Sequence, residues 1–433
     1  MKSKLAVFLY LFVCLFIFFN RQEYKNIYIQ SDPSGYYAYL PAALIYHDLK
    51  YFDFYKDINQ YYQLNGTTDR YGVYDNPYGK RTNKYAIGTS LFELPFFLIA
   101  HIYCQFNHHY RDDGYSQPYE IMVVISSLFW AFLGLFVLAK FLIRHFSDSV
   151  AAITILCIGF GTNLYCYTVF SPAFSHPCSF FIIASVLFYT DLWYATLKSR
   201  YMYIAATFIG LAIVTRPINF TIVLLAIFWM VYSYNDLKER AALFFKFRSR
   251  LAIAFLLFLL VAFIQMSYWY YTTGHWIYYS YVGEGFNFSD SHVWAGLFSW
   301  RKGWFIYTPL ALVGIIGFIP LWLKNRKMIA GPLLFLTSII YIVFSWNAWW
   351  YGGGFGARPL VDVLPLVALP QAALISNLIL IKNPILKSIL LLLIIGFVLL
   401  NLFQTYQYSI NILPPDGMNA QDYWYIFGKL KYN

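Results

Sequence analysis

The chain holds 433 residues, 60% of them hydrophobic and 12% charged, with a formal net charge of +11. Apolar runs repeatedly reach the roughly 20 residues that cross a bilayer, so the sequence reads as an all-α polytopic membrane protein; the runs are continuous, which excludes the alternation of a closed barrel. The basic excess sits in short clusters between these runs, as the positive-inside rule requires, and implies no nucleic-acid partner.

In chain order the candidate spans are about 5–19, 86–105, 119–141, 149–168, 177–194, 201–215, 218–234, 251–271, 304–323, 328–346, 359–380 and 385–403, or about 11–12 transmembrane helices in a single membrane domain, residues 1–433. The first has Lys2 and Lys4 before it and no small-residue cleavage site after it, and reads as a retained signal anchor. Basic clusters at Lys2/Lys4, Lys140/Arg144, Lys198/Arg200, residues 238–250, Lys324/Arg326/Lys327 and Lys382/Lys387 mark the cytoplasmic side. The external side then carries loops 21–85, 106–118, 169–176, 272–303 and 347–358 and a tail 404–433. Loops 21–85 and 106–118 both score as external although 86–105 lies between them. With Glu93 and Pro95 inside it, that segment is expected to be re-entrant or interfacial; the alternative is a cytoplasmic 106–118. Cys14, Cys104, Cys157, Cys166 and Cys178 lack metal or disulfide spacing and are expected to pack in apolar runs.

The chemistry gathers on the external side. Asp32, in SDPSGYYAYL, follows the first span by about a dozen residues and heads a Tyr-rich interfacial stretch; it reads either as a general base toward a hydroxyl or as an Asx-turn cap. Asp48 and Asp53 are weaker candidates. Lys80, Arg81 and Lys84 stand before an apolar run on a side where basic residues are disfavoured, which asks for an anion such as a lipid phosphate. His176, in SPAFSHPC, reads as a satisfied interfacial histidine. Arg216-Pro217 breaks an apolar run at its external end, where an arginine binds an anion or backbone carbonyls. Loop 272–303 holds Glu284 between glycines and aromatics, a carbohydrate-facing pattern, and Arg301 and Lys302 before the next span, placed to meet phosphate or to snorkel.

Residues 345–370, SWNAWWYGGGFGARPLVDVLPLVALP, combine Trp346, Trp349 and Trp350 with four glycines and Arg358. Flat aromatic faces, glycines that let backbone amides approach a ligand, and a fixed cation suit sugar and phosphate. An interfacial aromatic belt is the plainer account of the tryptophans. Zinc spacing, a phosphate-binding loop, a dinucleotide fingerprint and a nucleophile elbow are all missing, so a sugar donor would be membrane-borne. Asn65-Gly66-Thr67 and Asn287-Phe288-Ser289 formally match glycosylation sites.

Taken in order, SDPSGYYAYL, NKYAIG, GLAIVTRP, LFSWRKGWFIYTPL and SWNAWWYGGGFGARPLV make the chain, nearly end to end, resemble the GT-C superfamily of membrane glycosyltransferases, which includes protein O-mannosyltransferases and aminoarabinose lipid A transferases. The resemblance implies inverting transfer of a sugar from a polyprenyl-phosphate lipid to a hydroxyl of a glycan, lipid or protein, with Asp32 as base and Lys84, Arg216 and Arg358 holding the carrier phosphate. It requires no cofactor or metal, the lipid-linked sugar being a co-substrate. Mannosyltransferases pair two acidic residues in the first loop, whereas here Asp32 is followed by Pro33. A flippase or transporter of a lipid-linked glycan and a non-catalytic scaffold are the alternatives; polar groups concentrated at one face favour the enzyme. Heavy use of Tyr, Phe, Ile, Asn and Lys points to an AT-rich bacterial genome and an inner membrane.

Overall fold

The structure, a computed structural model, describes residues 1–64 and 71–431; the Asn65-Gly66-Thr67 match lies outside them. Among the described residues, five helices are long and apolar enough to cross a membrane: Lys2–Asn20, Gln117–Leu142, His176–Thr196, Arg248–Thr273 and Pro384–Ser409. Shorter apolar helices, Asp148–Phe160, Ser199–Thr215, Ala330–Phe344 and Leu364–Ile379, pack among them. Burial separates centre from rim. In its most apolar window His176–Thr196 is 72% buried, against 17% for Arg248–Thr273 and 11% for Pro384–Ser409. The last two turn Leu256, Leu260, Phe263, Ile389 and Leu392 outward, a surface for lipid rather than water.

Several long apolar runs prove to be broken helices. Run 304–323 comprises Trp304–Tyr307, Pro309–Ile316 and Phe318–Asn325. Pro309 lacks an N–H and its ring displaces the carbonyl of the turn before it. Gly317 permits contact so close that a Cβ would sit 2.2 Å from the Pro370 carbonyl oxygen. Run 149–168 divides into Asp148–Phe160 and Leu164–Val169. Arg216, extended because proline follows, ends Ser199–Thr215 as expected, and the turn Pro217–Thr221 leads into Ile222–Phe228. Within the basic stretch, Tyr234–Lys246 is an amphipathic helix opened by a Ser233/Asp236 capping box.

The segment expected as the first external loop is more than loop. Ile29, Tyr37, Phe52, Tyr55, Val73, Phe97 and Tyr115 build an apolar core of their own. Short helices Asp32–Tyr37, Tyr39–Leu44 and Phe54–Tyr62 supply it together with Gly88–Phe106. The fold is mostly helical, as expected, and this segment adds one short antiparallel ribbon, Val73–Asp75 with Arg81–Asn83, Val73 opposite Asn83.

Gly88–Phe106 is continuous despite Pro95, and runs antiparallel to the first half of Gln117–Leu142. Phe92 meets Trp130 with ring centroids 4.8 Å apart, and His101 Nδ1 lies 2.7 Å from the Tyr119 hydroxyl. The first half of Gly88–Phe106 lies within the bundle: a Cβ on Gly88 would meet the Thr215 nitrogen at 2.4 Å, and Phe92 also meets Phe181 of His176–Thr196, ring centroids 6.3 Å apart. At the other end, Pro384–Ser409 continues past residue 404, the expected start of the tail, because buried Gln404 and Gln407 donate to the Tyr423 hydroxyl and the Ile426 carbonyl at 2.7 Å each.

All five cysteines are buried, so single new thiols can be read against a silent background. Asp112→Cys and Ser289→Cys, both at exposed positions, should react with an impermeant thiol reagent on intact cells. Labelling of the residue-112 thiol only after lysis would mean that Gly88–Phe106 crosses.

Candidate functional site

A cavity of about 870 Å³ opens where the segment from Asp32 to Ala86 meets the helical bundle, near the top of the roughly 300–1,000 Å³ range of small-ligand sites. Asp32, Lys84, Arg216, Glu284, Trp346 and Arg358 all line it. Each cation there faces a carboxylate. Arg358 Nη2 donates to Asp32 Oδ2 at 2.6 Å, Arg216 Nη1 donates to Asp362 Oδ2 at 2.9 Å, and Lys84 pairs with Glu284. The cations read from sequence as awaiting an external anion therefore already have internal ones. Each arginine commits one nitrogen to its carboxylate, and a guanidinium has five N–H donors.

Asp32 begins the helix Asp32–Tyr37, behind Ser31 at φ 55°. Such a backbone conformation costs a non-glycine residue about 1–3 kcal/mol and persists only where surroundings enforce it. Tyr85 and Tyr71 donate to Asp32 Oδ1 at 2.6 and 3.0 Å, and Arg358 takes Oδ2. The carboxylate thus serves the cavity wall, not an Asx-turn cap. Gly35 makes room for this: a Cβ there would meet the Tyr85 ring at 2.3 Å. Burial raises the Asp32 pKa, but Arg358 and the hydrogen bonds from Tyr85, Arg358 and Tyr71 outweigh it and hold the carboxyl below its ordinary range. It stays ionised, and it is a weak base while Arg358 remains in contact.

Behind Arg216 lies a buried network that sequence reasoning missed. Asp362, 1% exposed, accepts from Arg216 and also contacts His176 Nδ1 at 2.9 Å; His176 itself lines the cavity. The available signal was a single carboxylate within the apolar string PLVDVLPLV, where an ionisable group calls for a partner. Tyr36, Tyr71, Tyr85, Tyr281 and Tyr351 also line the cavity, but nothing set them apart in so Tyr-rich a chain.

Other expected site residues lie elsewhere. Arg301 Nε donates to Asp416 Oδ1 at 2.9 Å, and its guanidinium covers Trp350 at 3.9 Å, fastening the C-terminal tail. Trp349 stacks on His292 with centroids 5.6 Å apart. Neither these tryptophans nor Arg301 lines the cavity. Asp48 accepts from the Tyr51 and Asp53 amides, and Asp53 pairs with Arg81, so both serve local turns. Gly354 and Gly356 are packing positions rather than a ligand cradle: added Cβ atoms would lie 2.7 Å from the Tyr167 hydroxyl and 2.8 Å from Asn163 Nδ2. Glu284 and Trp346 are brought in together by backbone pairing, Asn287 N to Ser345 O at 2.7 Å and Asn347 N to Gly285 O at 2.9 Å.

Lys302, expected to meet phosphate or to snorkel, is instead buried, its ammonium held by the Gly354 and Pro415 carbonyls. Burial, then the nearby Arg358, push its pKa down to about 7. No known family model and no curated protein matches the chain.

A pH test follows from Lys302. Its folded pKa of about 7 lies below the unfolded value, near 10.4. Between these the unfolded chain binds the extra proton, so the Lys302 contribution to stability rises with pH across that window. Lys302→Met should flatten the rise in thermal midpoint of the purified protein between pH 7 and 9.5 by about a few degrees. An unchanged pH profile would mean that folding does not lower the Lys302 pKa.

Proposed function

We propose that the protein is a GT-C-type membrane glycosyltransferase with about 11–12 transmembrane helices, working at the external face of a bacterial inner membrane. It moves a sugar from a polyprenyl-phosphate donor to an acceptor hydroxyl with inversion. The observation that carries this reading is one cavity joining two chemistries. Its lining holds the charged Asp32, Lys84, Arg216 and Arg358, buried or partly buried, and the apolar Phe220, Ile277, Phe288 and Tyr341, which are exposed, Ile277 by 79%. Charged groups inside a cavity whose exposed lining is apolar suit a phosphate whose hydrocarbon chain stays in lipid, and suit a water-soluble nucleotide sugar poorly.

In this scheme the donor phosphate takes guanidinium donors of Arg216 and Arg358. Competition for Arg358 loosens its grip on Asp32, which regains basicity as the substrate arrives. The acceptor oxygen bonds to sugar C1, its proton passes to an Asp32 oxygen, and the C1–O bond to phosphate breaks with its electron pair leaving on the phosphate. The arginines then face the charge where it develops, the arrangement that lowers a barrier most. Lys84 and Glu284, paired across the wall, are placed to meet polar groups of the substrates.

The experiment is transfer from a radiolabelled polyprenyl-phosphate sugar by the reconstituted full chain. Asp32→Asn should lower kcat by about 10²–10⁴-fold with donor binding retained. Arg216→Lys and Arg358→Lys should raise donor KM by about tenfold, since the lysine amine cannot form a forked contact. Full activity of the Asn variant would remove Asp32 as base. Movement of labelled lipid between leaflets without transfer would favour a flippase.

A further inference from the structure

We propose that His176 binds a hydroxyl of the transferred sugar, accepting its hydrogen bond through Nε2; this rests on the glycosyl-transfer reading above. His176 is the first residue of His176–Thr196, 3% exposed, and lines the cavity. Its ring is held on three sides. Nδ1 lies 2.9 Å from Asp362 Oδ1, Tyr167 packs edge-on with centroids 4.9 Å apart, and Phe174 stacks at 6.0 Å. A carboxylate oxygen only accepts, so Nδ1 carries the proton and Nε2 bears a lone pair. Asp362 is already balanced by Arg216, 2.9 Å away, and has no charge left to neutralise a second proton on the ring.

The chemistry of the partner follows. An acceptor-only nitrogen repels phosphate oxygens, which are acceptors too, and attracts an O–H. Arg216 Nη1, 3.2 Å from His176 Nδ1, holds the phosphate in the proposed scheme, so the group facing Nε2 belongs to what is bonded to that phosphate. His176 thus stands as a hydroxyl reader beside a phosphate-holding arginine, and Asp362 is the positioning residue that fixes the histidine tautomer.

The test uses the full-length protein in nanodiscs, with polyprenyl-phosphate hexoses and pentoses and the monodeoxy analogues of whichever sugar is transferred. Wild type should lose about tenfold or more in kcat/KM for one monodeoxy donor. His176→Leu should lose the same factor with the complete sugar and nothing further with that analogue, through donor KM. His176→Gln, which keeps a polar side chain at the site, should fall between and guards against a folding defect in the Leu variant. A wild type indifferent to every deoxy donor overturns the proposal whatever the variants do, as does equal discrimination in wild type and His176→Leu. A change in acceptor KM instead moves the hydroxyl to the acceptor and overturns the assignment to the sugar. If wild type transfers none of these sugars, the functional reading itself fails.

Discussion

Arg358 and Asp32 stand 326 residues apart and meet at 2.6 Å; on that contact the cavity depends. It fastens the segment after the first long helix to the loop between Ala330–Phe344 and Leu364–Ile379, so residues far apart in the chain enclose one space. Charges taken from water into such a setting must be paired, because losing one member of a buried pair costs roughly 3–5 kcal/mol. The cavity obeys this three times over, with Asp32–Arg358, Asp362–Arg216 and Glu284–Lys84. Three cations and three carboxylates leave it balanced until an anion arrives, and an arriving phosphate must share or displace an internal partner. In the proposed scheme, coupling of substrate arrival to release of Asp32 would follow from charge balance rather than from an added device.

Rigidity around the site comes from packing and strain. Ser31 and Tyr351 both hold positive φ angles beside the cavity, which a backbone keeps only when neighbours enforce it. Trp346 is pinned by Tyr281 and Phe286, ring centroids 5.5 and 4.7 Å away, and the strand-like pairing beneath them joins the two external loops. Lys302 and Arg301 then tie the glycine loop and Trp350 to the tail at Pro415 and Asp416. The site is thus held from outside by the very residues expected to touch substrate.

Much of this was legible in the residues themselves. Continuous apolar runs have few options in lipid other than helix, and Arg-Pro marks a helix end wherever it falls, so the place of Arg216 could be read directly. Asp32, Lys84, Glu284 and Arg358 stood out because charge is rare in this chain. What stayed hidden was pairing over long sequence distances. Arg301 and Arg358 look alike as interfacial cations beside aromatics, and only folding shows that one meets Asp416 and the other Asp32. Asp362 was masked by its apolar neighbours, and the glycines at 354 and 356 answer to Tyr167 and Asn163 from a remote helix break. The breaks at residues 161–163 and 317 go with close helix contacts that hydropathy does not record, Gly161 against Leu310 and Gly317 against Pro370.

The central claim is that the cavity receives a lipid-borne phosphate at its arginines. Cryo-electron microscopy of the protein in nanodiscs with added polyprenyl phosphate tests it most directly. The account predicts phosphate density within hydrogen-bond reach of Arg216 and Arg358, Asp32 parted from Arg358, and a chain leaving past Phe220 and Tyr341. Phosphate density away from both arginines, or an intact Asp32–Arg358 pair in the occupied cavity, would contradict it.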